Sequence, residues 1–142
     1  KHRFIGDINE LMNYFLELES ENLSSLNIAI IKFISKKIKL NTEFFLSSDF
    51  NFSTKRTNKV VNILNAIDAT EYLSPEGSKN YLEDDNFKKL INIKLSFNDY
   101  ISKEYPQKNL NEFVSNLSII DVIANLGWKN TGMYVKGNLK FL

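Results

Sequence analysis

A chain of 142 residues with 18 lysines and arginines against 17 aspartates and glutamates has a formal charge of +1, which excludes a whole-molecule field that would draw in nucleic acid or anionic lipid. Without cysteine, and with His2 as its one histidine, it offers no disulfide, thiolate nucleophile, sulfur-ligated metal site or Ser–His–Asp triad. No apolar run reaches the roughly 20 residues of a membrane span and the opening lacks signal-peptide regions, so the expected location is cytoplasmic.

A chain of this size buries roughly 70% of its unfolded surface, enough for one core, and 1–142 reads as a single α/β domain. A helical pair over 7–40 comes first. Ile8, Leu11, Met12, Phe15 and Leu18 recur at helical spacing, and Asp7 with Glu10 has the cap-plus-acid arrangement that opens helices. In the second helix Leu26, Ile30, Phe33, Ile34 and Ile38 face inward, while Lys32, Ser35, Lys36 and Lys39 face water. The lysines of 36–39 suit a solvated helix end, with a phosphate or nucleic-acid patch as the rarer reading.

A β-α-β-α-β core is predicted over 42–97. The apolar run 43–47 reads as a first strand covered on both faces, and a helix from about Thr54 buries Val60, Val61, Leu64 and Ile67. The second strand covers 70–74. One or two short helices follow, anchored by Tyr81, Leu82, Phe87 and Leu90. The third strand alternates Ile91, Ile93, Leu95 and Phe97 with polar residues. This order predicts a partial parallel sheet of about three strands with flanking helices.

A loop and last helix occupy 98–127. That helix, from about Asn116, is apolar except for the stripe Ser118, Asp121 and Asn125, which meets solvent or lines a cleft, and it closes at Gly127. The tail 128–142 shows little period. Its Trp128, Met133, Tyr134, Val135 and Phe141 are expected to pack on the domain or on a partner.

In open parallel sheets ligands bind beyond the strand carboxyl ends. Ser48, Lys55 and Arg56 lie in the loop after the first predicted strand, Ser74 and Ser78 in the loop after the second, and Tyr105 and Gln107 in 98–107. Hydroxyls and cations at helix starts hold phosphate without a Walker sequence, and none is present. The same serines also read as helix caps, the same cations as solvated, and the tyrosines as packing residues. A metal would need carboxylates alone, none clusters with suitable spacing, and no cofactor is called for.

The pieces Leu26-Asn27-Ile28-Ala29-Ile30-Ile31, Ser47-Ser48, Tyr72-Leu73-Ser74 with Gly77 and Tyr81-Leu82, Tyr105-Pro106-Gln107 with Phe113, and Leu117-Ser118-Ile119-Ile120-Asp121 with Asn125 and Gly127 occur in an ordered set. Through them residues 26–127 resemble the WbqC-like family, bacterial proteins found among polysaccharide and O-antigen biosynthesis genes. The resemblance implies a sugar-modifying transferase of surface-polysaccharide biosynthesis, moving a glycyl or other acyl group onto an amino sugar or nucleotide-linked sugar. Ser48, Lys55, Arg56, Ser74 and Ser78 would then hold the phosphate-bearing ligand. Tyr105, Gln107 and Ser118 would orient the sugar or acyl group, with Asp121 as general base. The family's aromatic-rich N-terminal part has no counterpart here, and the loop after Ser74 reads Pro-Glu-Gly where relatives carry more glycine. The expectation is therefore the C-terminal portion of a longer protein. Its partners would be a nucleotide sugar or acyl donor, not nucleic acid. The alternative is a non-catalytic assembly module of the same pathway that self-associates, or binds a pathway partner, through the 128–142 tail.

Overall fold

In the computed structural model, residues 3–20, 22–108 and 111–139 are described. The chain gathers into two compact units, one of residues 1–44 with 102–142 and one of residues 45–101.

The first unit is helical. Its elements are α1 (Ile5–Glu17), α2 (Leu23–Lys37) and α6 (Ile119–Val135), and α6 packs on both others. The Asn22 side chain caps α2 by accepting from the Ser25 N–H at 2.9 Å, and Lys36 and Lys37 lie in its last turn, where the helix dipole favours cations. Leu11, Ile34, Ile38, Ile123 and Trp128 form one core cluster. Tyr105, Val122, Leu126 and Tyr134 form a second.

Two expectations for this unit are corrected. Helix α6 does not close at Gly127: that glycine, at φ 72 and ψ 169, kinks it, and the chain is helical again to Val135. The kink is geometric, since a side chain built on Gly127 would put its Cβ 2.5 Å from the Phe4 ring and 2.9 Å from Asp7 Oδ2. Hence Trp128 and Tyr134, read from sequence as tail, are buried core residues, while residues 140–142, Phe141 among them, lie outside the described residues. Nor do Asp7 and Glu10 open α1, which starts at Ile5 after Phe4. Asp7 Oδ2 instead accepts the Trp128 backbone N–H at 2.8 Å, capping the second half of α6, and Glu10 Oε2 accepts the Trp128 indole N–H at 2.9 Å.

The second unit has α3 (Arg56–Ala66), β1 (Glu71–Ser74), a 3₁₀ turn (Glu76–Ser78), α4 (Lys79–Asp84), α5 (Phe87–Leu90) and β2 (Lys94–Phe97). The strands pair in parallel with Glu71 opposite Lys94 and Ser74 opposite Phe97. Val61 and Leu64 of α3, Leu82 of α4 and Phe87 of α5 form the core, with Tyr72, Leu95 and Phe97 of the strands against it. The α/β class with a small parallel sheet flanked by helices and preceded by two helices is as expected. The sheet has two strands, because residues 43–46 pair with nothing in it and Phe44 and Phe45 are exposed. A continuous apolar run fits a covered strand only where neighbours exist to cover it. Among the described residues no helix is long and apolar enough to cross a membrane.

Candidate functional site

In the helical unit, the first turn of α6 carries Asp121, where the dipole favours an acid, and Ser118 caps the helix by accepting the Ile120 N–H at 3.3 Å. The Tyr105 hydroxyl donates to Asp121 Oδ2 at 2.7 Å. Gln107 Nε2 lies 3.5 Å from the same oxygen. Gln107 itself is fixed like a short piece of sheet: its Nε2 donates to the Val114 carbonyl at 2.9 Å and its Oε1 accepts the Val114 N–H at 2.8 Å. Asn125, one turn beyond Asp121, donates to the Asp121 carbonyl at 2.9 Å and accepts the Lys108 N–H at 3.0 Å. Asp121 and Asn125 of the polar stripe therefore face the segment 105–108.

Packing sets the Tyr105 ring edge-on to Phe113 and Tyr134, with centroids 5.3 and 5.4 Å away. Burial first, and then the bond to the Asp121 carboxylate, push the Tyr105 hydroxyl up to about 12. At neutral pH it is a proton donor that orients the carboxylate, not a phenolate nucleophile. Both bonds to the Asp121 carboxylate fall on Oδ2, which leaves Oδ1 to accept from a ligand. Next to Gln107 an open cleft of about 240 Å³ is lined by Arg3, Pro106, Lys108, Ala124 and Asn125 as well. A carboxylate braced by two donors can take a proton from an amine or hydroxyl, and the two cations of the cleft that Gln107 borders can offset negative charge nearby.

Thus Tyr105, Gln107, Ser118 and Asp121, chosen from sequence, lie on one helix start and the segment packed on it. Arg3 and Lys108 were missed. No local pattern signals Arg3, which reaches the cleft from the far end of the sequence, whereas Lys108 directly follows Tyr105-Pro106-Gln107.

In the α/β unit Ser74 and Ser78 come together, but they face inward. Ser74 is wholly buried at the end of β1, its hydroxyl bonded to that of Ser78 and 3.1 Å from the Tyr72 hydroxyl. Ser78 also donates to the Pro75 carbonyl at 2.6 Å. Arg56 Nη2 pairs with Asp85 Oδ1 at 3.3 Å, while the other oxygen of Asp85 accepts from the buried Thr57 hydroxyl at 2.7 Å. Lys55 is exposed just ahead of α3, and Ser48 is exposed beside Asp49. Of these five residues, Ser48 and Lys55 offer a ligand a group without rearrangement.

Comparison with known proteins gives a family and one informative relative. The model of the WbqC-like protein family matches residues 1–133. An uncharacterized protein of Mycobacterium tuberculosis, Rv1507c, is 26% identical over 113 residues, covering 80% of this chain and 48% of its own length. The chain thus spans about half the length of that relative. No solved structure matches.

Proposed function

The chain belongs to the WbqC-like family, and from that premise we propose that it is part of a transferase that moves a glycyl or other acyl group onto an amino sugar or nucleotide-linked sugar in bacterial surface-polysaccharide biosynthesis. The observation that carries the reading is the Asp121 carboxylate held at 2.7 Å by a Tyr105 hydroxyl that stays protonated. In the reaction, the amine or hydroxyl of the sugar attacks the acyl carbonyl of the donor while Asp121 Oδ1 takes its proton, and the bond from the acyl carbon to the donor's carrier then breaks, the carrier leaving with the proton that Asp121 returns to it. Gln107 and Tyr105 fix the carboxylate, and Ser118 holds the helix start that presents it. Arg3 and Lys108, lining the adjoining cleft, offset charge on the acyl donor or on a phosphate. The protein acts in the cytoplasm, where activated sugars are made, and this chain is the C-terminal portion of a longer protein.

Replacing the proposed base is the direct test. Asp121→Asn keeps an acceptor for Tyr105 and is expected to lower the transfer rate by about 10²-fold or more with substrate binding little changed. It should be made in the chain extended at its N-terminus, with acyl transfer followed by mass spectrometry over a panel of nucleotide sugars and aminoacyl donors. Wild-type rates in the variant would remove Asp121 from the chemistry.

Lys55 and Ser48, with Arg56 once it leaves Asp85, are the proposed phosphate contacts of the α/β unit, while Ser74 and Ser78, which face inward, brace the end of β1 beneath them. Changing Lys55 and Arg56 together to Ala is expected to weaken nucleotide-sugar binding about tenfold or more by calorimetry. Because Asp85 already holds Arg56, most of that loss should be reproduced by Lys55→Ala alone. An unchanged affinity in the double variant would take the phosphate role from this loop.

A further inference from the structure

The helical unit has a second, larger cleft, between the end of α2 and the second half of α6. It measures about 450 Å³, and Lys37, Lys39, Lys129 and Lys136 stand around a floor that includes Ile38 and Met133. No carboxylate lines it. In a chain whose charges nearly cancel overall, Lys39, Lys129 and Lys136 around one concavity, with Lys37 paired to Glu10, concentrate positive potential where the apolar wall limits screening.

Two of the lysines are already held. Lys37 pairs with Glu10 and lies 5.6 Å from the centre of the Trp128 ring, and Lys136 Nζ donates to the Lys39 carbonyl at 2.6 Å. Lys39 and Lys129 have no carboxylate partner among the described residues. Three of the four have a plain structural reading, since Lys37, Lys39 and Lys136 lie at helix ends where the dipole favours a cation. Lys129 does not. It sits in the first turn after the Gly127 kink, where the dipole disfavours a cation.

The walls are close-set and firm. Gly132 lets α6 approach the end of α2, since a Cβ built on it would lie 2.6 Å from the Ile38 carbonyl oxygen. Lys39 is held at φ 57 by the turn that ends α2. The cleft is far larger than an orthophosphate needs and falls within the range of small-ligand sites.

We infer that this cleft binds a soluble small molecule that carries a diphosphate, with the phosphates on Lys39 and Lys129 and an apolar or planar part against Met133. The inference stands on charge and shape and does not depend on the transfer chemistry at Asp121 or on the loop of Lys55 and Arg56.

The test is calorimetric titration of the 142-residue chain with inorganic pyrophosphate, uridine diphosphate and orthophosphate at low and moderate salt, together with flotation on vesicles containing phosphatidic acid. The variants are Lys129→Gln and Lys39→Asn, the latter because Asn tolerates positive φ. Thermal melts check that both remain folded. Pyrophosphate and uridine diphosphate should bind, the latter more tightly, and orthophosphate more weakly than either. Each variant should lose about fivefold in affinity and the double variant about tenfold or more. Absence of heat with pyrophosphate at millimolar concentration overturns the inference. So does equal affinity in the folded double variant, or binding to vesicles without binding of either soluble diphosphate.

Discussion

The two units solve the problem of buried polar groups in opposite ways. In the α/β unit the partners are mostly close in sequence: Ser74 is satisfied by Ser78 and Tyr72, and Ser78 by Pro75, within a span of seven residues. Its longest buried tie, Thr57 to Asp85, crosses 28 positions. In the helical unit the ties that hold α1 on α6 cross almost the whole chain, Asp7 and Glu10 serving the backbone and the indole of Trp128, while Tyr105 reaches Asp121 across 16 positions. Local pairing lets one unit close its polar groups as each turn forms. Distant pairing makes the other depend on α1 and α6 being brought together first, with more loop entropy to overcome.

If the α/β unit relies on its apolar centre, the largest effect in the molecule should come from emptying that centre. Phe87 is 1% exposed and meets Leu82, Val61 and Leu64, with the Tyr72 ring 5.8 Å away. Phe87→Ala is expected to cost about 3–5 kcal/mol. Urea unfolding gives the total, and hydrogen exchange at the α3 and α4 amides shows where it falls. A loss below about 1 kcal/mol would mean that this small core collapses around the gap.

The helical unit should be most sensitive at a polar tie. Asp7→Ala leaves the Trp128 N–H, at the start of a buried half-helix, without its acceptor, and the expected cost is about 1–2 kcal/mol. Hydrogen exchange should rise first at residues 128–132. An unchanged exchange rate there would show that the second half of α6 does not need its distant cap.

The same contrast explains what could be read from sequence. Wherever the partners were local, the pattern sufficed: α2 and its lysine-rich end, the alternation that became β2, and the polar stripe of α6 with Tyr105-Pro106-Gln107 all show in short windows. Where the partner is remote, a correct motif led to a wrong element. Asp7 and Glu10 have the right spacing to open a helix, yet their carboxylates serve a residue more than a hundred positions away. Gly127 is a sound helix-stop signal, but the cap from Asp7 lets the helix resume after one residue. The run at 43–47 has strand-like composition and no strand beside it, and composition cannot supply a neighbour. At the candidate site Asp121 and Gln107 could be nominated because one helix and one adjacent loop hold them, whereas nothing near Arg3 points to the cleft it lines.

Glu10 offers the smallest effect and the finest test of the distant ties. The Lys37 ammonium bound to its carboxylate lowers its pKa, desolvation opposes the shift, and the indole N–H of Trp128 adds to it. The folded value is therefore below the unfolded one. Stability from this group is present above about pH 4.5, the ordinary range of the carboxyl, and is lost as pH falls through the lower folded value. Its side chain is 46% exposed, so water and salt screen the pair and the effect should be smaller than that of Asp7→Ala. Other carboxylates titrate in the same window, so the informative quantity is a difference. Wild type should lose more stability between pH 6 and pH 3 than Glu10→Gln, whose amide keeps an acceptor for the indole but has no charge to lose, and added salt should shrink the gap. Parallel pH profiles for the two proteins would mean that the charge on Glu10 adds nothing, and that the indole bond and apolar packing alone hold α1 on α6.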